Sequence, residues 1–453
     1  MEFELILKIG DKDGTVSCVS LGQICRSKVD DVALLGLDLS GSKQVLRRLQ
    51  HEIVTTQFKS ISHDRGPCAC CATTPSIKDY QNVRFRSLFG DVTLRVPRFS
   101  KCDCTDAGPR KPQRRWISAE LECVQSELAA RLSYQHASDV LHMLLPIGKG
   151  HSASTVRART LRVGQRLDAE LTAVSAPSMH PSSVISIGLD GGYVRHCDAP
   201  AAHNFEIIAG RVLAEDGSQR SVAFVRTVDE HSRTRVQHAV AALGGANKDL
   251  RVFTDGDGAL RDLQLAVLPD AIHVLDWYHL TRRLTVLSSV INDKPAAAEL
   301  QTHDQDRLSK WMDSVKWRLW HGRSIGANER LQDMLERMQR LCKGKGEKNP
   351  TIKRMLKHAT ELQGYLQNNA DSIPNYGQRY RAGERIATSF VESAVNQIID
   401  KRMSKSQQMR WSPESAHLLI QVRTSVLDGR LREDFARWYP GFAANDSIQQ
   451  KRA

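Results

Sequence analysis

Hydrophobic positions between residues 184 and 293 follow a pattern that predicts strands first and then alternating helices and strands. Three apolar runs, VISIGLD, FEIIAGRVLA and SVAFVRTV, succeed one another with only short polar segments between them. A helix at 231–243 is followed by strand RVFTD, helix GALRDLQLAVL, strand AIHVLD and helix YHLTRRLTVLSSVI. Short turns favour antiparallel neighbours, and intervening helices favour parallel ones. The pattern therefore predicts an α/β fold whose mixed sheet begins as an antiparallel meander and continues in parallel.

The rest of the chain divides into smaller regions. Residues 1–60 predict one or two strands and a helix of unclear role. Residues 118–175 predict three helices, and SAPSMHPSS at 175–183 reads as a linker because it is rich in Pro and Ser. Residues 294–383 are polar with a helical period, which predicts a helical insertion with a basic face. The predicted domains are 1–60, 61–115, 116–175, 184–293, 294–383 and 384–440, the last with a helix at 389–403 and C-terminal helices.

Composition adds a prediction about partners. The 453 residues include 64 Lys and Arg against 51 Asp and Glu, a net charge of +13, which favours a polyanionic partner, nucleic acid first. No apolar run approaches the ~18 residues that span a bilayer. The start, MEFELILKIGDKDG, lacks the basic and apolar regions of a signal peptide. We therefore expect a cytoplasmic protein that binds DNA and no membrane.

Two carboxylates stand at predicted strand ends. Asp190 ends the first strand of the α/β region and Asp255 ends the fourth, each followed by glycine. Reactive crevices in open α/β sheets lie off the strand ends, so neighbouring first and fourth strands would bring both carboxylates together. Their repulsion is relieved by a divalent cation, and hard oxygen ligands suit Mg²⁺ or Mn²⁺. The alternative is turn chemistry, for which Asp-Gly is also common.

A third carboxylate is needed, and Glu392 at the start of the late helix is the candidate. Its alternative role is structural, because Ser389 and Glu392 match a capping box in which the Glu only satisfies a backbone N–H. The pattern leaves rival ligands open. These are Glu384, Asp400 and Asp257.

Cysteines crowd into one short region. Cys68-x-x-Cys71 and Cys102-x-Cys104 flank a predicted hairpin, an arrangement that resembles a zinc ribbon, and Zn²⁺ takes four such ligands. Cys70 and His63 are alternative ligands of the first pair, and unbound thiols on a loop are the alternative to a metal site. The remaining cysteines are scattered singly and are expected to be small core or surface residues. They are Cys18, Cys25, Cys123, Cys197 and Cys342.

The third helix of the 116–175 region is basic. It carries Arg157, Arg159, Arg162 and Arg166. Three short helices with a basic last one are typical of a helix-turn-helix, whose recognition helix lies in the DNA major groove. The alternative is an ordinary helical bundle with a solvated basic face.

Several segments in order resemble the DDE transposases of bacterial insertion sequences, specifically the Kra-type family. They are SIGLDGGYVR at 186–195, VFTDGDGALR at 252–261, HVLDWYHLTRRL at 273–284, FVESAVNQIIDKRMSK at 390–405 and MRWSPESAHLLIQVRTSVLDGR at 409–430. FGDVTLRVPRFSKCDC and STVRARTLRVGQRL are also typical of that family. The resemblance covers about residues 60–440. The first two motifs are short, and their order with DWYH and the C-terminal block makes the pattern specific.

The resemblance implies the catalytic residues. Asp190, Asp255 and Glu392 look like the DDE triad, which would ligate Mg²⁺ or Mn²⁺. Asp276 and His279 match an Asp-x-x-His pattern of related transposases, and they would brace the site or hydrogen-bond each other. The spacing of 137 positions from Asp255 to Glu392 fits a core interrupted by a helical insertion.

The resemblance also implies a fold and a reaction. The fold is an RNase H-like core with strand order 3-2-1-4-5, preceded by a zinc-ribbon-like module and a helix-turn-helix-like domain. The reaction is hydrolysis of a phosphodiester at a transposon end, followed by attack of the freed 3′-OH on target DNA. The partners would be element ends and target DNA, bound by a homo-oligomer at the bacterial nucleoid, with no small-molecule substrate. Two alternatives stay open, a catalytically silent DNA-binding regulator and a structure-specific nuclease of the same fold.

Overall fold

The computed structural model describes most of the chain. The described residues are 2–10, 16–25, 31–61, 74, 76–100, 115–148, 150–171, 184–197, 204–244, 249–344, 349–404 and 409–442. They form two compact units, residues 1–166 with 429–453 and residues 167–428. No helix among these residues is long and apolar enough to cross a bilayer.

The first unit contains two hairpins and most of the short helices of the N-terminal half. Its strands are β1 (Glu2–Gly10), β2 (Val16–Cys25), β3 (Ile77–Ser87) and β4 (Gly90–Phe99), paired as β1 with β2 and β3 with β4. Its helices are α1 (Leu39–Ser60), α2 (Ala119–Arg131), α3 (Tyr134–Leu144), α15 (Leu431–Trp438) and most of α4 (Ala153–Glu170). The predicted hairpin and the three predicted helices are confirmed.

Serines define where two of these helices begin. Ser118 accepts a hydrogen bond from the Leu121 N–H at the start of α2, and Ser133 accepts one from the His136 N–H at the start of α3. A side-chain oxygen at the N-cap satisfies a backbone donor that has no partner within the helix. Local sequence therefore sets these boundaries before any tertiary packing.

The second unit is built on a five-stranded mixed sheet. Its elements are β5 (Val184–Val194), β6 (Phe205–Ala214), β7 (Gln219–Val225), α5 (Ser232–Ala241), β8 (Asp249–Thr254), α6 (Gly258–Val267), β9 (Ile272–Leu275) and α7 (Trp277–Ile291). The spatial order is β7-β6-β5-β8-β9. β5, β6 and β7 pair antiparallel, whereas β5, β8 and β9 pair parallel. The predicted order 3-2-1-4-5 and the change from antiparallel to parallel are confirmed.

The first core strand is longer than predicted. Asp190 was expected to end it, but β5 continues through both glycines to Val194, because the antiparallel partner β6 runs alongside it over this whole stretch. Asp190 is paired with Ala209, and Val194 with Phe205. The Asp-Gly sequence is therefore strand here, and the turn interpretation of Asp190 is wrong.

A helical segment, defined here as residues 294–383, follows α7. It comprises α8 (Lys294–Glu299), α9 (Thr302–Trp320), α10 (Ser324–Gly344), α11 (Pro350–Asn368), a 3₁₀ turn at Ala370–Ser372 and α12 (Tyr376–Arg381). Its apolar faces share one hydrophobic core with the sheet, in which Phe253 and Val274 of the strands belong to the same buried cluster as Leu319 and Leu366. The predicted helices are present, and they complete the core at the β8–β9 edge.

The chain returns to the sheet through a helix of mixed geometry. α13 (Ser389–Val395) continues directly into a π-helical stretch, Asn396–Ser404, where one uniform helix at 389–403 was predicted. α14 (Pro413–Leu427) follows and is buried along most of its length. π-Helical insertions are rare and occur frequently at functional sites. The prediction of one uniform helix at 389–403 therefore needs correction over Asn396–Ser404.

Candidate active site

Neighbouring strands bring Asp190, within β5, and Asp255, just after β8, to the same height along the sheet. In the parallel ladder between β5 and β8, Gly188 is paired with Phe253. Asp190 and Asp255 each lie two residues beyond this pair. The side chains of residues two apart in a strand point to the same face. The two carboxylates therefore stand side by side where the parallel ladder ends.

A third aspartate continues this row on the next strand. Phe253 is paired with Val274 of β9, and Asp276 lies two residues beyond Val274. Asp190 within β5, Asp255 just after β8 and Asp276 just after β9 thus lie in one row where the parallel ladder ends. This edge is where open α/β sheets bind ligands.

The electrostatics of Asp190 reflect this crowding. Burial raises the pKa of its carboxyl, and the nearby carboxylates of Asp255 and Asp276 raise it further. The Gly191 N–H, 2.8 Å from Asp190 Oδ1, and His279 lower the pKa in part. Burial and the two neighbouring carboxylates therefore both disfavour the charged form of Asp190.

α13 packs against β5 at two glycines, Gly188 and Gly192. A Cβ on Gly188 would lie 1.9 Å from Val391 Cγ2, and one on Gly192 would lie 3.5 Å from Val395 Cγ1. Val391 and Val395 are one helical turn apart. Their turn of α13 therefore packs directly onto the β5 backbone, and the approach of Val391 is possible only because residue 188 has no side chain.

Glu392 belongs to this same turn. Asp190 lies midway between the two glycines of the contact and on their face of the strand. Glu392 is half-buried, and among the residues that the structure describes its carboxylate has no hydrogen-bond or ion-pair partner. The capping-box interpretation is wrong, because Thr388, and not Ser389, is the N-cap of α13. The carboxylate is therefore available to a ligand.

Asp276 is fully buried, and its carboxylate accepts hydrogen bonds from two segments of the chain. It caps α7 by accepting a hydrogen bond from the Tyr278 N–H at 2.8 Å. It also accepts hydrogen bonds from the Thr388 N–H at 3.2 Å and from the Thr388 hydroxyl. His279 Nε2 lies 3.6 Å from Asp276 Oδ2. One carboxylate thus ties the end of β9 to the residue that begins the Glu392 helix.

The rival ligands have other contacts. Glu384 forms ion pairs with Arg251 at 3.0 Å and with Arg379 at 3.5 Å. Asp257 is exposed and caps α6 by accepting a hydrogen bond from the Ala259 N–H at 2.7 Å. Asp400 lies on the π-helical stretch.

A second group of donors in the same unit could hold a metal ion. Ligand atoms of Asp168, Asp229 and His417 lie within 4.8 Å of one another. The Arg235 guanidinium, however, already pairs with Asp168 at 2.6 Å and Asp229 at 3.0 Å. His417 Nδ1 accepts the Val225 N–H at 3.3 Å, so Nε2 carries the proton towards Asp168. These contacts lower the pKa of Asp168 to about 2, and an arginine cation fills the cluster.

The four predicted DNA-binding arginines of α4 are not equivalent. Arg157, Arg162 and Arg166 are exposed. Arg159 is only 6% exposed and donates to Gln125 Oε1 at 2.9 Å, and burial lowers its pKa to about 10. The prediction of a phosphate contact needs correction at Arg159, because its donors point into the unit.

The predicted zinc ligands Cys68, Cys71, Cys102 and Cys104 lie outside the described residues, as do the alternatives Cys70 and His63. Of the scattered cysteines, Cys123 is buried and Cys342 half-buried. Cys18, Cys25 and Cys197 are exposed.

Sequence reasoning missed the residues that hold the site from a distance. Tyr365 donates a hydrogen bond to the Asp255 carbonyl at 2.7 Å, across 110 positions of sequence. Tyr376 and Thr388 likewise contact the sheet edge from far along the chain. No local pattern could have revealed them, because their partners are set only by the packing of the helical segment.

Comparisons with known proteins add little to this geometry. No family model and no curated protein matches the chain. Among solved structures, it is similar to the Drosophila P element transposase strand transfer complex. The identity is 10% and the TM-score 0.27, over 72% of this chain and 82% of that one. A likeness this distant does not indicate a function for this chain, so the function is inferred from the residues of the site.

Proposed function

We propose that this protein is a DNA transposase of a Kra-type insertion sequence, with an RNase H-like core. It would bind element ends and catalyse metal-dependent phosphodiester hydrolysis and strand transfer. One observation carries the proposal, the placement of Asp190 and Asp255 at the same height on adjacent parallel strands beneath the helix turn that bears Glu392. Two of these carboxylates come from the sheet and one from a helix, so only the folded chain brings them together.

The donor set fits divalent cations. Asp190, Asp255 and Glu392 offer hard oxygen ligands, as Mg²⁺ and Mn²⁺ prefer. Burial of Asp190, together with the neighbouring Asp255 and Asp276 carboxylates, raises its pKa, and a bound cation would offset both effects. When bound, a pair of such ions would activate the attacking oxygen and stabilise the leaving one.

The chain's own residues then have distinct roles. Asp190 in β5 and Asp255 directly after β8 would hold the metal ions, and Glu392 of α13 would complete the ligand set. Asp276 fixes where α13 begins through Thr388. The mechanism requires no covalent intermediate, so no Ser, Tyr or Cys nucleophile is needed.

DNA binding is assigned to the basic elements of the first unit. We propose that α2, α3 and α4 act as a helix-turn-helix-like domain, with Arg157, Arg162 and Arg166 as phosphate contacts. Synapsis of two element ends requires at least two active sites, so a homo-oligomer would assemble on DNA at the bacterial nucleoid.

A zinc-ribbon-like module is proposed for residues 61–115. The Ser100 N–H donates to the Ser76 carbonyl at 2.8 Å, so the chain enters and leaves the β3–β4 hairpin side by side. Both cysteine pairs adjoin these two ends in sequence. Metal analysis of the purified protein, compared with a Cys71→Ser and Cys104→Ser double variant, tests for bound Zn²⁺.

The deciding experiment incubates the purified protein with labelled element-end DNA and Mg²⁺ or Mn²⁺. Asp255→Asn should abolish joined products. Asp257→Asn is the matched control, since it lies on the same turn and asparagine keeps the α6 cap. Cleavage without joining would instead indicate a nuclease. DNA binding with neither product, in all variants, would indicate a regulator.

A further inference from the structure

Two tyrosine hydroxyls reach from the helical segment to the strand ends that bear the aspartates. Tyr365 Oη donates to the Asp255 carbonyl at 2.7 Å. Tyr376 Oη donates to the Leu275 carbonyl at 2.8 Å, directly before Asp276. Both contacts are made to backbone carbonyls, so they hold the chain and do not use the carboxylates.

Burial makes these contacts costly to lose. Tyr365 is 8% exposed and Tyr376 is fully buried. A buried hydroxyl without a partner is unfavourable, and so is a buried carbonyl beyond the end of a strand ladder. Each hydrogen bond therefore pairs a tyrosine hydroxyl of the helical segment with a backbone carbonyl at the sheet edge, and its loss would leave both groups without a partner.

The Tyr365 ring also fits the shape of the Asp255 turn. Gly256 has φ +87°, and a Cβ there would lie 2.8 Å from Tyr365 Cε2. The Arg283 guanidinium covers the ring at 4.1 Å from its centroid. The turn after β8 is therefore packed against the ring and bonded to its hydroxyl, which leaves the backbone of Asp255 little freedom.

A third link reaches the same turn through the sheet. Ser372, in the 3₁₀ turn of the helical segment, is 2.6 Å from His273 Nδ1, and His273 Nε2 is 2.9 Å from Thr254 Oγ1. Thr254 Oγ1 in turn accepts the Gly256 N–H at 3.3 Å. The residues on both sides of Asp255 are thus held from the helical segment.

We propose that the helical segment positions the turn of the catalytic Asp255 and the strand end of the buried Asp276, with Tyr365 and Tyr376 as its positioning residues. The catalytic part of this inference rests on the proposed function. Its structural part, that single hydroxyls order these turns, can be tested without metal, DNA or turnover.

Hydrogen exchange on the metal-free full chain tests the structural part. Tyr365→Phe removes one oxygen and should speed exchange in peptides covering 252–261, where the Asp257 N–H bonds to Asp255 Oδ1 at 2.9 Å. Tyr376→Phe should do the same at 272–279. Tyr380→Phe, at a position 65% exposed on the same segment, is the matched control and should change neither peptide. Unchanged exchange in both peptides, or equal acceleration throughout residues 184–442, would overturn the proposal.

Electron paramagnetic resonance of bound Mn²⁺ tests the catalytic part. Tyr365→Phe should weaken Mn²⁺ binding by about tenfold, as loss of a residue supporting a metal ligand does, while affinity for element-end DNA stays unchanged. If Asp255→Asn loses Mn²⁺ but Tyr365→Phe binds like the wild type, the positioning role is wrong and the proposed function stands. If Asp255→Asn binds like the wild type, the proposed function and the catalytic part of the inference both fall.

Discussion

An alanine at position 188 should separate Glu392 from the aspartates. The added Cβ would stand 1.9 Å from Val391 Cγ2, whereas ordinary contact begins at 3.4 Å, so the two must part by about 1.5 Å. β5 is the central strand and is paired on both sides, so it cannot yield easily. α13 is the element free to move, and it carries Glu392 with it.

The magnitude follows from the geometry of metal catalysis. Mg²⁺ demands near-ideal octahedral geometry, and a misplacement of about 1 Å can cost roughly 100-fold in rate. Overpacking should cost only about 1–3 kcal/mol of stability, which leaves a domain of this size folded. Gly188→Ala should therefore lower the strand-transfer rate by about 100-fold in a protein that still unfolds cooperatively.

The assay measures joined product against time with labelled DNA and saturating Mn²⁺, beside a thermal unfolding curve. The Phe390 ring, at 2.9 Å, also meets the added Cβ, so Val391→Ala removes only the closest contact, and Gly188→Ala with Val391→Ala should recover part of the lost rate. Gly364→Ala, where a Cβ meets nothing within 4 Å, is the control for glycine replacement. A folded Gly188→Ala protein with the wild-type rate, or a double variant with no recovery, would refute the reasoning.

Three further predictions concern charge. Because the pKa of Asp190 is raised, its contribution to stability is present below its ordinary pKa of 3.8 and is lost as the pH rises through the raised value. Asp190→Asn should therefore raise the metal-free Tm at pH 7 and remove the Tm gain from Mn²⁺, and a lowered Tm would contradict this. Burial lowers the pKa of His151 from 6.5 to about 4, so the free energy of unfolding should decrease by at most about 3 kcal/mol as the pH falls from 6.5 to 4. His151→Asn should flatten that pH dependence, as measured by urea unfolding. Arg162→Gln should weaken DNA binding and reduce the slope of log K against log salt by about 0.9, while the exposed Arg131→Gln should change neither in the same titration.

The sheet could be predicted from sequence because its determinants are local. Apolar runs of strand length alternate with helical periods from residue 184 onwards, and the short connections decide which pairs run antiparallel. The end of β5 could not be predicted. Gly191 and Gly192 read as a turn, yet their conformation is decided by β6, which pairs with them from outside the segment.

The site could be predicted only in part for the same reason. Asp255 follows the end of β8, which the pattern marks, whereas Asp190 lies within β5, four residues before its end. Glu392 had a plausible local role as a capping residue, and only the observed N-cap at Thr388 removes it. Arg159 shows the converse, since a helix of arginines gives no sign of which one turns inward.

The shared core has a consequence for how this protein could change over evolutionary time or be engineered. Because Phe253 and Val274 are buried among side chains of the helical segment, replacing that segment with an unrelated one would disrupt the packing of β8 and β9. A shortened chain without it would expose the apolar face of β8 and of the edge strand β9, which should favour aggregation. Swaps between relatives should therefore join inside α7 and α13, so that strand edge and helices are inherited together.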